Sequence, residues 1–199
     1  MNLNQIFMNK LMILGSSGML GNMVSKYFIN TNEFDMFLTY RNNTQNHLHD
    51  NSYKFDALTD DLEKLIKDIN PDFLINCIGI IKPEINEDNN KSIKRAIEVN
   101  SYFPLKISNL ASEYNFKYIQ IGTDCVFSGI TGEYLESSFQ DAIDVYGKSK
   151  IGGEALNLNK YLLRTSIVGP EVGQGKSLLN WFLYQREGKV NGFIDNKWN

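Results

Sequence analysis

The chain has 199 residues, enough for one full domain with a sizeable core and short for two. Its hydrophobic share of 42% and charged share of 22% are those of an ordinary soluble globular protein. A net charge of -3 gives no electrostatic reason to expect a nucleic acid or an anionic membrane as partner.

Ahead of Lys10 there is no long apolar core and no small-residue cleavage site, so the N-terminus does not read as a signal peptide, and Met8 reads as an alternative start. No run approaches the length that spans a bilayer, and the expected location is the cytoplasm. Leu11 to Leu14 is a short apolar run ended by Gly15, which predicts a buried strand. Apolar residues at Met19, Leu20, Met23, Val24, Tyr27 and Phe28 have helical spacing and predict a helix from Met19 to Ile29. Asp35 to Tyr40 reads as a second strand, residues 42–52 as a polar loop, and Lys54-Phe55-Asp56 as a short third strand. Asp60 or Asp61 caps a predicted helix through Asp68, with Leu62, Leu65, Ile66 and Ile69 on one face. Phe73 to Ile78 is a fourth strand, apolar enough to be buried on both faces.

Ser92 to Tyr114 predicts a long helical region bent near Pro104. Tyr118 to Ile121 is a fifth strand, Val145 to Leu158 a helix, Tyr161 to Leu163 a sixth strand and Ser177 to Gln185 a last helix. Strands separated by helices of this length require right-handed crossovers. The expected fold is therefore α/β, a doubly wound parallel sheet of the Rossmann kind with helices on both faces.

Gly15-Ser16-Ser17-Gly18-Met19-Leu20-Gly21 joins the first strand to the first helix with G-x-x-G-x-x-G spacing. The first Gly makes the tight turn, the second lets backbone approach a pyrophosphate, and the third lets the helix pack on the strand. The helix start adds free N–H groups and partial positive charge for the anion. After the second strand, where NAD sites usually place an acid, the sequence has Arg41. A planar guanidinium suits a 2′-phosphate, so NADP (NADPH preferred over NADH) is the expected cofactor.

Tyr146 and Lys150 are four apart on the predicted fifth-strand-following helix and so share a face. A nearby ammonium is expected to lower the phenol pKa and suit it to proton transfer with a carbonyl or alcohol oxygen. Lys150 can also hold the nicotinamide ribose. Thr123 and Asp124 follow the fifth strand at the edge where parallel sheets bind ligands. There the Thr123 hydroxyl is suited to a substrate oxygen and Asp124 to orienting a neighbour or a sugar hydroxyl; turn capping is the plainer role of both. Cys77, Ile78 and Gly79 leave the fourth strand at the same edge, where their backbone is placed to line the cofactor. Asn100 is a candidate for holding a water or backbone at the site, or is an ordinary polar helix residue.

Other signals carry less. Cys77 and Cys125 lie in apolar runs without C-x-x-C spacing, which opposes a disulfide scaffold and a zinc site and suits a reducing compartment. Cys125 reads as a small buried residue, since no base is placed to activate it. His47 and His49 lie in a polar loop with no further ligand at a convincing spacing, and no metal is expected. Trp181, Phe182 and Tyr184 read as a packing face or a substrate-region surface. Asp60, Asp61, Glu63 and Lys64 read as a solvated helix start.

The segments GSSGMLG at 15–21, NCIGII at 76–81, Glu98-Val99-Asn100, GTDCVFSG at 122–129, VYGKSKIGGE at 145–154 and LLRTSIVGP at 162–170 stand in one order along the chain. Together they resemble the extended short-chain dehydrogenase/reductases. Within these, Thr123 to Phe127 followed by Gly129 is most similar to the dTDP-4-dehydrorhamnose reductase family and its sugar-nucleotide-reductase relatives. The resemblance runs from Lys10 to the C-terminus. It implies a triad of Thr123, Tyr146 and Lys150. It also implies hydride transfer from NADPH to C4 of a nucleotide-linked 4-keto-6-deoxyhexose, with Tyr146 giving the proton, in a route to polysaccharide. By the same resemblance Asp56 lies near the adenine, and Arg164-Thr165-Ser166 ends the sixth strand toward the substrate.

Family members continue further, so residues 8–168 are expected to form the dinucleotide-binding domain and 169–199 the start of an incomplete substrate-binding region, within which Gly192-Phe193 and Trp198 also resemble the family. The expected partner is a nucleotide sugar; a homodimer is left open. Two other readings stand beside reduction: a sugar-nucleotide epimerase or dehydratase on the same fold, and a non-catalytic NADP-binding regulatory subunit or inactive fragment.

Overall fold

The computed structural model describes residues 8–42, 49–154, 160–170, 178–185, 188–190 and 192. Six strands, β1 (Lys10–Leu14), β2 (Asp35–Tyr40), β3 (Ser52–Lys54), β4 (Phe73–Asn76), β5 (Lys117–Gly122) and β6 (Lys160–Arg164), form one sheet in the order β3-β2-β1-β4-β5-β6. Every pair is parallel. This is the doubly wound order, in which the direction of winding reverses between β1 and β4 and leaves a crevice at their C-terminal ends. The helices are α1 (Met19–Thr31), α2 (Leu62–Ile69), α3 (Asn90–Ile97), α4 (Phe103–Glu113), α5 (Val145–Gly152) and α6 (Leu178–Tyr184).

The alternation of a strand explains the two cores. Leu11 and Ile13 of β1 point to one side, where Met36, Leu38 and Ile75 meet Val24 and Phe28 of α1. Met12 and Leu14 point to the other, against Leu62 and Ile66 of α2 and Ile107 of α4. All four β1 residues are at most 2% exposed, so each contributes about 1.5–3 kcal/mol of burial. The left-handed turns that end α1 and α2 are made by Asn32 and Asn70, a residue type that tolerates positive φ. Asp61 caps α2 by accepting the Lys64 N–H at 3.2 Å.

Several boundaries differ from the sequence reading. The third strand is Ser52–Lys54, two residues earlier than the expected Lys54-Phe55-Asp56 and taking in Ser52 from the stretch read as loop; this edge strand buries little and needs no apolar pattern, and only Phe55 beyond it enters the core. β4 stops at Asn76, whose Oδ1 accepts the Ile78 N–H at 3.0 Å and turns the chain away from the ladder. The long helical region is interrupted at Glu98–Tyr102, a π-helical turn upstream of Pro104, with the Phe103 N–H bonded to the Glu98 carbonyl. α5 ends at Gly152, whereas the expected end, Leu158, lies outside the described residues. So do Ser177, the expected start of the last helix, and His47, Phe193 and Trp198. Leu178, Trp181, Phe182, Leu183 and Tyr184 of α6 are exposed, so among the described residues nothing covers the aromatic face that read as a packing face or a substrate-region surface. Among these residues no helix is long and apolar enough to cross a membrane.

Candidate active site

The glycine-rich turn is built against β2. The Gly15 N–H donates to Thr39 Oγ1 at 3.0 Å, and both the N–H and the hydroxyl of Ser16 donate to the Thr39 carbonyl at 2.8 Å. Gly15 has φ +82°, and a Cβ there would stand 2.9 Å from Ile78 Cγ1. At Gly21 a Cβ would stand 2.1 Å from the Gly15 carbonyl oxygen, so α1 rests directly on the turn that precedes it. Gly18 differs: the nearest neighbour of a Cβ is the Gly15 oxygen at 3.5 Å, and its outer side is open. No acidic side chain sits in the first turn of α1, which leaves the positive end of the helix uncompensated toward the crevice.

That crevice has two connected parts. A cavity of about 190 Å³ is lined by Gly15, Ser17, Arg41 and Asp56 at the β2 side. A larger one of about 460 Å³ is lined by Met19, Leu20, Thr123, Asp124, Tyr146 and Lys150 at the β5 side. Gly18, Cys77, Ile78 and Gly79 line both, so the two are halves of one cleft across the C-terminal ends of β1 and β4.

At the β5 side, Asp144 starts α5 by accepting the Gly147 N–H at 2.7 Å, and Lys82 holds the same carboxylate at 2.7 Å. Gly147 allows α5 to touch the turn after β5: a Cβ there would be 2.5 Å from the Cys125 carbonyl oxygen. This contact sets Tyr146 beside Thr123. Burial raises the Tyr146 pKa above its ordinary value, and hydrogen bonding with Thr123 offsets part of that rise. The expected lowering is therefore not found, because loss of hydration outweighs stabilisation of the phenolate. Lys150 donates to the Ile121 carbonyl at 3.1 Å, and burial lowers its pKa while Glu154 opposes the shift. Thr123 is 5% exposed; its hydroxyl accepts the Cys125 N–H at 3.2 Å, so it also caps the short turn Asp124–Val126.

Three candidate residues do not line the cleft. Ser16 is turned back to Thr39, and Gly21 lies under the turn as a packing residue. Asn100, 2% exposed within the π turn, accepts the Ile80 N–H at 2.9 Å and donates to the Ile80 carbonyl and to Ser149 Oγ, each at 3.0 Å. It holds backbone rather than facing the cavity. Cys125 is exposed and lines the larger cavity, against the buried position expected, because Val126 takes the inward place on that turn. Cys77 is the more enclosed thiol, its pKa pushed up to about 12 by burial. Asp56 lines the smaller cavity and also accepts the Leu58 N–H at 2.9 Å, which closes the turn that follows β3.

The sequence reading missed Arg95 and Glu84, which line the smaller cavity with Arg41, and Thr39, which supports the glycine turn. Arg95 and Glu84 arrive from α3 and the turn after β4, where no local spacing marks them.

The chain spans about half the length of the curated relatives it matches. It is 29% identical over 181 residues to dTDP-4-dehydrorhamnose reductase of Aggregatibacter actinomycetemcomitans, covering 83% of this chain and 54% of that protein. It is 25% identical over 167 residues to methionine adenosyltransferase 2 subunit beta of Mus musculus, covering 82% of this chain and 48% of that protein. The crystal structure of dTDP-4-dehydrorhamnose reductase from Bacillus anthracis in complex with NADP superposes with a TM-score of 0.62 at 23% identity, over 79% of this chain and 53% of that one, a likeness of fold. The RmlD substrate binding domain profile matches residues 8–189, and the chain belongs to that family.

Proposed function

We propose that this chain carries the cofactor half and the reacting side chains of an NADPH-dependent reductase acting on a nucleotide-linked 4-keto-6-deoxyhexose, supplying a deoxysugar for polysaccharide assembly. The observation that carries the reading is the convergence of Thr123, Tyr146 and Lys150 on the same cleft that begins at the glycine turn. Family membership and the reductase relative support it.

The residues present fit a dinucleotide. Gly18 is open on its outer side, the α1 start is free of acid, and Arg41 and Asp56 line the half of the cleft away from Tyr146. In this reading the α1 N-terminus and Gly18 hold the pyrophosphate, Arg41 takes the 2′-phosphate and Asp56 lies near the adenine. Backbone of Cys77, Ile78 and Gly79 forms the floor. A reduced nicotinamide bound there would supply the hydride for C4 of the sugar. Tyr146, protonated at neutral pH as any phenol is and more firmly so because burial raises its pKa, donates its proton to the O4 oxygen as that charge develops, and recovers a proton from solvent. Thr123 donates a hydrogen bond to the same oxygen. Lys150 favours the transient phenolate through its charge and contacts the nicotinamide ribose. Asp124, at the exposed rim, orients a sugar hydroxyl.

The test is stoichiometric NADPH oxidation with a panel of nucleotide 4-keto-6-deoxyhexoses, followed by identification of the product. One alcohol formed per NADPH oxidised supports reduction. Product formation without net NADPH consumption would instead mark an epimerase or dehydratase. The similarity to the methionine adenosyltransferase subunit favours one second reading, a cofactor-binding regulatory subunit. It is distinguished by NADPH binding without turnover of any keto sugar.

A further inference from the structure

Behind the Lys150 end of the cleft lies an ion pair with no part in the scheme above. Glu154 follows the end of α5 with a side chain 5% exposed, and Arg164 ends β6 at 19%. Arg164 Nη2 donates to Glu154 Oε2 at 2.9 Å, and its Nε lies 3.2 Å from both carboxylate oxygens. The Gln140 amide donates to the same Oε2. The carboxylate is thus fixed from two directions, by a planar fork and by an amide.

The rest of the guanidinium faces the segment 127–141. Nη1 donates to the Glu136 carbonyl at 3.0 Å, and the guanidinium carbon lies 5.2 Å from the centroid of the Phe127 ring. Phe127 stacks on Tyr134 with centroids 4.6 Å apart. The segment closes on itself where Asp141 accepts from the Ser128 N–H at 2.7 Å and from its hydroxyl at 2.6 Å. One arginine therefore touches this segment at Phe127 and Glu136 while holding the end of α5. The junction presses on Gly122, where a Cβ would stand 3.1 Å from Glu154 Oε1 and 3.2 Å from Arg164 Cγ. Thr123 is the next residue, and Lys150 is one helical turn before Glu154. A buried ion pair adds little stability over an apolar contact of the same volume, so stability alone is a weak account of it.

We propose that Glu154 and Arg164 are positioning residues, which lock the 127–141 segment and the end of α5 to β6 and thereby fix Lys150 relative to Thr123. The proposal rests on the reductase reading only for its kinetic consequence. Glu154 has a second effect, because its charge opposes the lowering of the Lys150 pKa by burial. The other titratable groups lining the cavity with Lys150 are Tyr146 on its own helix, Asp124 and Cys125 after β5, Cys77 after β4, and Glu84 across the cleft; neutral Asn100 approaches from the π turn.

The experiment compares the full chain with Glu154→Gln and Arg164→Lys. Three quantities are read: the NMR titration of the Lys150 ε-carbon, the NADPH dissociation constant, and kcat with KM for the keto sugar nucleotide. Glu154→Gln is expected to move the Lys150 midpoint to lower pH. Arg164→Lys keeps the charge and loses the fork, and both variants are expected to lower kcat about tenfold or more through misplacement. NADPH affinity should fall less than kcat, since neither side chain reaches the cofactor half and only the ribose contact of Lys150 is disturbed. An unmoved Lys150 midpoint in Glu154→Gln, or a fall in Tm with kcat intact in either variant, overturns the proposal. Should Glu154→Gln fail to fold, the kcat and NADPH readings of Arg164→Lys decide. If the wild-type chain reduces no keto sugar, the reductase reading fails, and the Lys150 titration still decides this one.

Discussion

The Lys150 ammonium donates to the Ile121 carbonyl at 3.1 Å, and that carbonyl also accepts the Gln120 side-chain N–H at 2.8 Å. Gln120 is held in turn by Asn76, whose Nδ2 donates to Gln120 Oε1 at 2.9 Å. The cation is thereby tied to the ends of β4 and β5 as well as to its own helix.

This arrangement, with a half-buried Tyr146, sets the expected pH dependence. The Tyr146 pKa lies above the ordinary phenol value because of burial, so the proton-donating form predominates at neutral pH. Reduction should be flat through neutrality and fall as pH rises through the raised pKa, while the reverse oxidation, which needs phenolate, should gain over the same range. Rate profiles in both directions check this. Tyr146→Phe should lower kcat by about 10²–10⁴-fold with NADPH affinity nearly unchanged; retained turnover would remove Tyr146 as donor.

Arg41 lines the cleft at its β2 side and is exposed. Arg41→Ala should weaken NADPH binding about tenfold, the effect of losing one charge-assisted contact of about 1.4 kcal/mol, and leave NADH binding unaltered. Fluorescence titration with both nucleotides measures it. Equal losses would sink the 2′-phosphate role.

Gly18 and Gly21 are three residues apart and predict opposite outcomes. In Gly21→Ala the new methyl meets the Gly15 carbonyl at 2.1 Å, backbone that cannot swing aside, so a loss of about 1–3 kcal/mol in stability is expected. In Gly18→Ala the methyl has 3.5 Å of clearance and Tm should hold, while NADPH affinity falls because the methyl occupies the open side. Thermal melts and NADPH titrations on both variants separate a packing glycine from a ligand-facing one.

Asn100 makes three hydrogen bonds in a buried position. Asn100→Ala leaves the Ile80 N–H and carbonyl without partners and should cost about 2–4 kcal/mol, read as a lower denaturant midpoint. An unchanged midpoint would mean that water replaces the amide fully.

Much of this fold was legible because its central strands are apolar on both faces. Leu11 to Leu14, and Leu74 with Ile75, announce a sheet covered on two sides. Ser52-Tyr53-Lys54 does not, since an edge strand that buries little needs no apolar pattern. The placement of the glycine turn, Tyr146 and Lys150 on one cleft was legible because local spacing alone brings these residues to the same sheet edge. For Asn100 the sequence left open a water, a backbone partner or no special role; its partner, Ile80, lies 20 positions away, and only the fold identifies it. The same holds for Glu154 and Arg164, a pair joined across a helix end and a strand end. The pKa direction of Tyr146 was misjudged because helical spacing reports a neighbour's charge and says nothing of hydration.

The π turn at Glu98–Tyr102 carries one residue more than an α-helix would use. In a regular helix that surplus would advance every later side chain by about 100° in azimuth. The insertion thus acts as a phase shift: Asn100 and Ser101 meet Ser149 on one side, while Phe103 and Ile107 still fall toward the sheet. Deleting a single residue here would shorten the chain by little, yet it would rotate one of those two sets out of register, so this turn should tolerate length change far less than the exposed loops.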